Sequence, residues 1–247
     1  MQKVSVVIPA YNEEKWIGKT LEAILAQDYP NYEVIVVDNA STDKTSDIVR
    51  GFSDARLKLI SEPRKGLLFA REAGRREASG SIIAQLDADC LPDPKWISKG
   101  ALLLADHEDW VGVTGPYVYY DASPWLRTIT YLGQVSIFKF LSIFVQTTKR
   151  GGVIIGGNCF IRKSAIDSAG GYATHLDFYG EDTDTACRIA KYGWIKYTPK
   201  IFLKTSARRL QSVGFFTVLG LYGKAFTHAL AKKDLGIAKE HEEYHPR

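Results

Sequence analysis

The order of short apolar runs and helical stretches predicts an α/β protein: a mostly parallel sheet flanked by helices, then a mixed second half. Two observations carry this. The runs Val4 to Ile8, Glu33 to Val37 and Ser81 to Leu86 are apolar or β-branched without polar alternation, the pattern of strands buried on both faces. Helical patterns separate them, as crossovers between parallel strands require.

Element by element, Val4 to Ile8 is a strand closed by Pro9, and Glu13 to Ala26 is a helix whose apolar side carries Trp16, Ile17, Leu21, Ile24 and Leu25. Glu33 to Val37 is the second strand, ending at Asp38. Ser41 or Thr42 caps a helix through Arg50, with acids near its start. Leu57 to Ile60 is a third strand, Leu67 to Ala78 a helix and Ser81 to Leu86 a fourth strand. The second half is less regular. Trp110 to Tyr120 contains a strand, Val153 to Ile161 reads as another interrupted by Gly156-Gly157, Glu181 to Lys191 is a helix and Trp194 to Tyr197 a strand. An amphipathic helix is expected over Gln211 to Lys232. No repeat, low-complexity tract or linker appears, so residues 1–247 read as one domain.

Composition narrows the function. Hydrophobic content of 45% and charged content of 24% are those of a globular protein, and a net charge of +4 without a basic stripe argues against nucleic acid. The scattered Cys90, Cys159 and Cys187 fit neither a metal spacing nor a disulfide framework. With no signal-peptide pattern at the N-terminus, they suggest a cytoplasmic location. The most apolar segment, Trp125 to Val145, contains Arg127, Gln134 and Lys139, and a central Lys costs about 2.5–3.5 kcal/mol on insertion scales, so spanning is not expected. The segment is either packed on the domain or a partner subunit, the first reading, or laid on a membrane surface. Leu210 to Leu230 poses the same choice.

The chemistry-bearing residues gather at strand ends. Pro9-Ala-Tyr-Asn-Glu-Glu14, Asp38-Asn-Ala-Ser-Thr-Asp43 and the pair Asp87/Asp89 follow three strands that a parallel sheet brings to one edge. In extended chain, residues i and i+2 point the same way, so Asp87 and Asp89 can converge on a hard cation that keeps waters and takes further oxygens from a phosphorylated substrate. Ser41 and Asp43 can equally be cap residues. Glu181-Asp-Thr-Asp184 supplies acids at a helix start, where they complement the macrodipole, and one can also serve as a general base.

Taken together, Val6-Val-Ile-Pro-Ala-Tyr-Asn-Glu-Glu14, Val36-Val-Asp-Asn-Ala-Ser-Thr-Asp-Lys-Thr45, Gly66 with Ala70-Arg71, Leu86-Asp-Ala-Asp89, Gly156-Gly-Asn158 with Gly170-Gly-Tyr172, and Gly180-Glu-Asp-Thr-Asp184 resemble the family 2 inverting glycosyltransferases of the GT-A fold. The motifs keep the family's order over roughly the first 200 residues. The resemblance implies a Rossmann-like nucleotide-sugar half (1–105), an acceptor half (106–205) and a helical tail (206–247). It implies a hexosyltransferase-type enzyme moving a sugar from a UDP-, dTDP- or GDP-linked donor to a glycan or lipid-linked acceptor in cell-envelope glycan, polysaccharide or glycolipid synthesis. Peripheral contact with the inner face of the membrane would accompany such an acceptor.

By the same resemblance Pro9, Tyr11 and Glu13 line the base and ribose pocket, Asp38 contacts the base region and Arg71 approaches the donor from beneath the Asp87/Asp89 strand. Asp87 contacts ribose or a metal-bound water. Asp89 ligates Mg²⁺ or Mn²⁺ at the diphosphate. Gly156, Gly157 and Asn158 border the acceptor and sugar pocket, Asp182 is the catalytic base and Glu181 stands beside it. One position departs from the pattern: many members carry a second aspartate where this chain has Asn39, which weakens the inference of uracil and keeps dTDP and GDP open. Arg208 and Arg209 either reach the donor phosphates or lie on the surface. His175, His241 and His245 are weak ligand candidates. The competing functions are a non-catalytic nucleotide-sugar binder, against which Asp89 and Asp182 both count, and a nucleotidyltransferase, disfavoured because no glycine-rich, lysine-containing phosphate loop is present.

Overall fold

The computed structural model describes residues 1–147, 151–176, 180–213 and 220, without the side chains of 209, 211 and 213. In chain order the elements are β1 (Val4–Ala10), α1 (Ile17–Leu25), β2 (Tyr32–Asp38), α2 (Thr45–Arg50), β3 (Leu57–Ser61), α3 (Leu67–Glu77), β4 (Ile82–Leu86), β5 (Leu91–Pro92), α4 (Trp96–Ala105), β6 (Trp110–Thr114) and β7 (Tyr117–Tyr119). They continue with α5 (Pro124–Gly133), a π-helical turn (Gln134–Phe138), α6 (Lys139–Thr147), β8 (Asn158–Arg162), α7 (Lys163–Ser168), α8 (Glu181–Ile189), β9 (Trp194–Tyr197), a 3₁₀ turn (Pro199–Ile201), β10 (Leu203–Thr205) and α9 (Arg208–Val213).

The main sheet has the order β3-β2-β1-β4-β8-β6-β9. Every neighbouring pair is parallel except those made by β8, which runs against β4 and β6. The sheet is therefore mostly parallel. Successive residues of β1 supply both faces: Val4, Val6 and Ile8 join a core with α1, α2 and α4, and Val7 joins one with α3, α7 and α8. Burial on both sides explains the uninterrupted apolar runs. On α1 the inward stripe is Ile17, Thr20, Leu21 and Ile24, a helical spacing.

This topology decides where the functional edge lies. The C-terminal ends of β1, β2 and β4 share one edge, and the reversed β8 begins there, Asn158 pairing with Leu86. A small sheet of order β5-β10-β7 stands beyond that edge, one strand following the Asp87/Asp89 loop and another preceding Arg208.

Several boundaries differ from the sequence expectation for physical reasons. α1 starts at Ile17 instead of Glu13; the residues before it form a turn whose Asn12, Glu13 and Glu14 amides donate to Ser41 Oγ, Thr45 Oγ1 and Asp43 Oδ2 of the neighbouring loop (2.8–3.0 Å). Ser41 therefore does not cap the next helix. Asp43 holds its first turn, accepting from the Thr45 amide at 2.9 Å. The Trp110 to Tyr120 stretch contains the expected strand, β6, and after Gly115-Pro116 a second short one, β7, which belongs to a different sheet. Of Val153 to Ile161 only Asn158 onward is strand, since residues 156 and 157 form a turn. The elements α4, α7, β5 and β10 go beyond the sequence expectation. Of the Gln211 to Lys232 helix only the end of α9 is described, and the rest lies outside the described residues.

The 124–147 segment is one continuous helix, long and apolar enough to cross a membrane by length and composition alone. Its inner side is small or polar: Thr130, Ser142 and Val145 are buried, and the Gln146 amide donates to the Ile195 carbonyl of β9. Its outer side is apolar, with Trp125 75% and Phe140 68% exposed. One flank held along the sheet fits a helix lying on the domain better than one crossing a bilayer. The helix is packed on the domain, with Val145 fully buried and Phe138 edge-on to Tyr197, and a further apolar stripe stays exposed on this chain.

Candidate active site

Two clusters of acids face each other across the functional edge, and an arginine attends each. At one side, Asp87 and Asp89 follow β4. Asp89 is buried and accepts from Thr205 Oγ1 of β10 at 3.3 Å, while Arg208 Nε lies 3.1 Å from its Oδ2. The Arg208 guanidinium also makes a forked contact with both Glu13 oxygens at 2.5 and 2.8 Å. Desolvation pushes the Asp89 pKa up to about 6. The Arg208 charge opposes this, and the negative Asp87 and Glu13 reinforce it. Glu13 is likewise raised, by burial first, against the pull of Arg208. Tyr117 of β7 donates to Asp87 Oδ2 at 3.1 Å.

At the other side, Gly180 at φ +101° lets the chain turn into α8, placing Glu181 and Asp182 in its first turn. Arg71 of α3 is only 4% exposed. Its Nη1 lies 2.9 Å from Asp182 Oδ1 and 3.4 Å from Glu181 Oε1, and its Nη2 lies 4.0 Å from Asp87 Oδ1. Burial alone disfavours the charged guanidinium, but Asp182, Glu181 and Asp87 outweigh it and raise its pKa. Its Nε is buried with no hydrogen-bond partner among the described residues.

Gly156 and Gly157 sit between the two clusters. The Gly156 amide donates to Asp182 Oδ2 at 2.9 Å, and a Cβ there would collide with Asp182 Oδ1 and Arg71. A Cβ at Gly157 would collide with the Asp87 carboxylate and the Tyr117 hydroxyl. Both acids approach the backbone only because these two residues lack side chains.

The remaining expected residues divide into those near this edge and those turned away. Tyr11 is exposed, with Lys65 Nζ 3.3 Å from its hydroxyl, and Pro9 and Asp38 are partly buried. Asp38 accepts from the Ser41 amide and the Ser46 hydroxyl. Asn12 and Ala40, at the ends of β1 and β2, both have positive φ near 60°, a conformation costly for residues other than glycine. Asn39 is turned inward: its amide donates to the Glu62 and Arg64 carbonyls and accepts from the Gly66 amide, all within 3.0 Å. Asn158 is fully buried, bonded to the Gly115, Pro116 and Ile201 carbonyls and to Trp96 Nε1, so its side chain does not reach the crevice. Arg71 is buried instead of lying exposed on its helix. His175 is exposed, whereas His241, His245 and the Arg209 side chain lie outside the described residues. Tyr117 carried no motif in the sequence and is found only by folding.

The fit of a divalent cation rests on the donor set. Asp87, Asp89 and Glu13 supply hard oxygens, and Asp89 is held in a poorly solvated place. Among the described residues no three His, Cys, Asp or Glu side chains are placed to hold an ion alone. That suits a cation completing its shell with water and substrate phosphate. A hollow lined by Gln2, Ser81 and Arg162 lies at the opposite end of β4 and shares none of these groups.

A mostly parallel α/β sheet with paired acids at its C-terminal edge, facing further acids at a helix start, defines the class as GT-A type. The comparisons agree. A family model for glycosyl transferase family 2 matches residues 5–170, and the chain belongs to that family. The chain is 35% identical over 179 residues to glycosyltransferase AglE of Haloferax volcanii, covering 70% of this chain and 57% of AglE. It is 42% identical over 97 residues to the UDP-Glc:alpha-D-GlcNAc-diphosphoundecaprenol beta-1,3-glucosyltransferase WfgD of Escherichia coli, covering 39% of this chain and 37% of WfgD. The chain thus spans little more than half of AglE and less of WfgD. Among solved structures, the mannosyltransferase PcManGT from Pyrobaculum calidifontis, in complex with GDP-Man and Mn²⁺, matches with a TM-score of 0.68 at 24% identity, over 95% of this chain and 70% of that one, a likeness of fold.

Proposed function

We propose that the protein transfers a sugar from a nucleoside diphosphate donor to an acceptor hydroxyl with inversion at the anomeric carbon. The observation that carries this is Arg71 joined to Asp182, Glu181 and Asp87 across the Gly156-Gly157 turn, which puts a base candidate and the donor acids in one crevice. Asp182, oriented by Arg71 and by the Gly156 amide, takes the proton of the attacking hydroxyl. Glu181 stands beside it. Asp87 and Asp89 would hold Mg²⁺ or Mn²⁺, which when bound neutralises charge developing on the diphosphate leaving group. Pro9, Tyr11, Glu13 and Asp38 line the nucleotide end. With the Asn39 amide engaged by the protein, the base is read by other groups, and UDP, dTDP and GDP donors all remain candidates.

AglE and WfgD are similar to this chain, and WfgD is a glucosyltransferase named for a diphosphoundecaprenol-linked acceptor. A lipid-linked or glycan acceptor in cell-envelope synthesis, with peripheral membrane contact on the cytoplasmic side, follows as part of the same proposal. Cys90, Cys159 and Cys187, all free, suit a reducing compartment.

The test is release of nucleoside diphosphate from UDP-, dTDP- and GDP-sugars with Mn²⁺. Wild type should turn over one of them. Asp182→Asn should lower kcat by about 10²–10⁴-fold with donor affinity nearly unchanged. An equal loss of donor affinity would remove Asp182 from the role of base.

A further inference from the structure

We propose that the outward face of the 124–147 helix is a docking surface for an anionic lipid bilayer, which sets the crevice at the level of a lipid-linked acceptor. The acceptor half of this statement rests on the transferase reading, and the docking half does not.

The helix leaves most of its large apolar residues on the solvent side. Its buried side holds Thr130, Ser142 and Val145, and its exposed side holds Trp125, Ile129, Leu132, Ile137, Phe140, Ile143 and Phe144. A contiguous apolar stripe of this kind marks an interaction site. Its register is maintained by a specific device. From Trp125 through Ile129, Leu132, Ile137 and Phe140 to Phe144, the steps are 4, 3, 5, 3 and 4 residues. The step of five would leave the stripe in a regular α-helix, but it spans the π-helical turn Gln134–Phe138, whose wider closure takes up one additional residue. The turn thus keeps the apolar residues in line.

Charge selects the occupant. The helix carries Arg127 and Lys139 and no Asp or Glu. A second copy docked on the same stripe would bring like charges together without acids to pair them, whereas anionic headgroups complement both. Arg127 and Lys139 are long enough to keep their charges at headgroup level while aromatic and aliphatic neighbours enter the acyl boundary. Next to Leu132, Tyr131 and Arg127 lies a hollow also lined by Val118, Thr128 and Phe202, open to an acyl chain.

The π-turn also connects this face to the crevice. Its first residue, Gln134, accepts from the Tyr117 amide at 2.9 Å and donates to the Tyr117 carbonyl at 3.0 Å, and the Tyr117 hydroxyl donates to Asp87. A single residue, Tyr117, thus links the docking helix to Asp87.

The experiment is co-sedimentation of the full chain with phosphatidylcholine vesicles containing about one-third phosphatidylglycerol, against phosphatidylcholine alone. Binding to the anionic vesicles is expected, weakened several-fold by omitting phosphatidylglycerol or by high salt. I129Q/F140Q, at two exposed positions, should weaken it by about tenfold or more with an unchanged circular dichroism spectrum. Absence of binding, or equal binding by I129Q/F140Q, would overturn the proposal. So would a dimer in sedimentation velocity that I129Q/F140Q dissolves while vesicles recover no protein. Nucleotide release in vesicle-free buffer is scored separately: release without vesicle binding overturns docking alone, and vesicle binding without release removes only the acceptor half.

Discussion

The two acidic clusters are each attended by one arginine, and the two arginines differ in burial. Arg71 is 4% exposed and bonded to Asp182 and Glu181, with Asp87 just beyond. The Arg208 side chain is 38% exposed, on the short α9, and reaches Glu13 and Asp89 from across the crevice. A buried cation among carboxylates cannot leave without stranding their charges, so Arg71 is part of the framework. The Arg208 guanidinium is half-exposed and can swing into water, but Asp89 is itself buried and Glu13 nearly so, and another positive charge has to take its place. Under the proposed mechanism the base side is thus the rigid one, and the cation side trades a guanidinium for another positive charge.

The largest effect should separate the two at once. Arg71→Leu removes a buried guanidinium held among Asp182, Glu181 and Asp87 and is expected to cost about 3–5 kcal/mol in urea denaturation, while Arg208→Leu, at a half-exposed side chain, should cost less. Similar losses would erase the distinction. An intermediate effect comes from protons. With its pKa at about 6, Asp89 is protonated below that pH, so a cation must displace the proton. Mn²⁺ affinity measured by calorimetry should be flat above about pH 7 and fall roughly tenfold per pH unit below 6. A flat profile to pH 5 would exclude Asp89 as a ligand. The smallest effect tests the trade itself: without nucleotide, Arg208→Gln should bind Mn²⁺ several-fold more tightly, because the competing charge is gone. Weaker binding would show that Arg208 supports the ion site instead of competing for it.

Much of this was legible along the chain. The apolar runs of β1, β2 and β4 announced a parallel sheet, and the polar clusters after them announced its functional edge, because side-chain periodicity is local information. Arg71 was placed at the site, yet its burial was not foreseen: nothing in an arginine on a helix says that three carboxylates from distant segments will close over it. Asn39 and Asn158 read as ligand contacts, but their amides satisfy buried backbone groups, a demand that arises only once loops pack. The split of the Trp110 to Tyr120 run was hinted at by Gly115-Pro116, although not the separation of β6 and β7 into two sheets.

Local rules, then, determined the strands, most of the helices, the motifs of family 2 and the presence of two acid groups, since each depends on neighbours within a few residues. Tertiary structure alone decided that Gly156 and Gly157 let those groups approach one turn, that Tyr117 reaches Asp87, and that the 124–147 helix turns its apolar side outward. These depend on segments tens of residues apart meeting at chosen distances, which sequence periodicity does not encode.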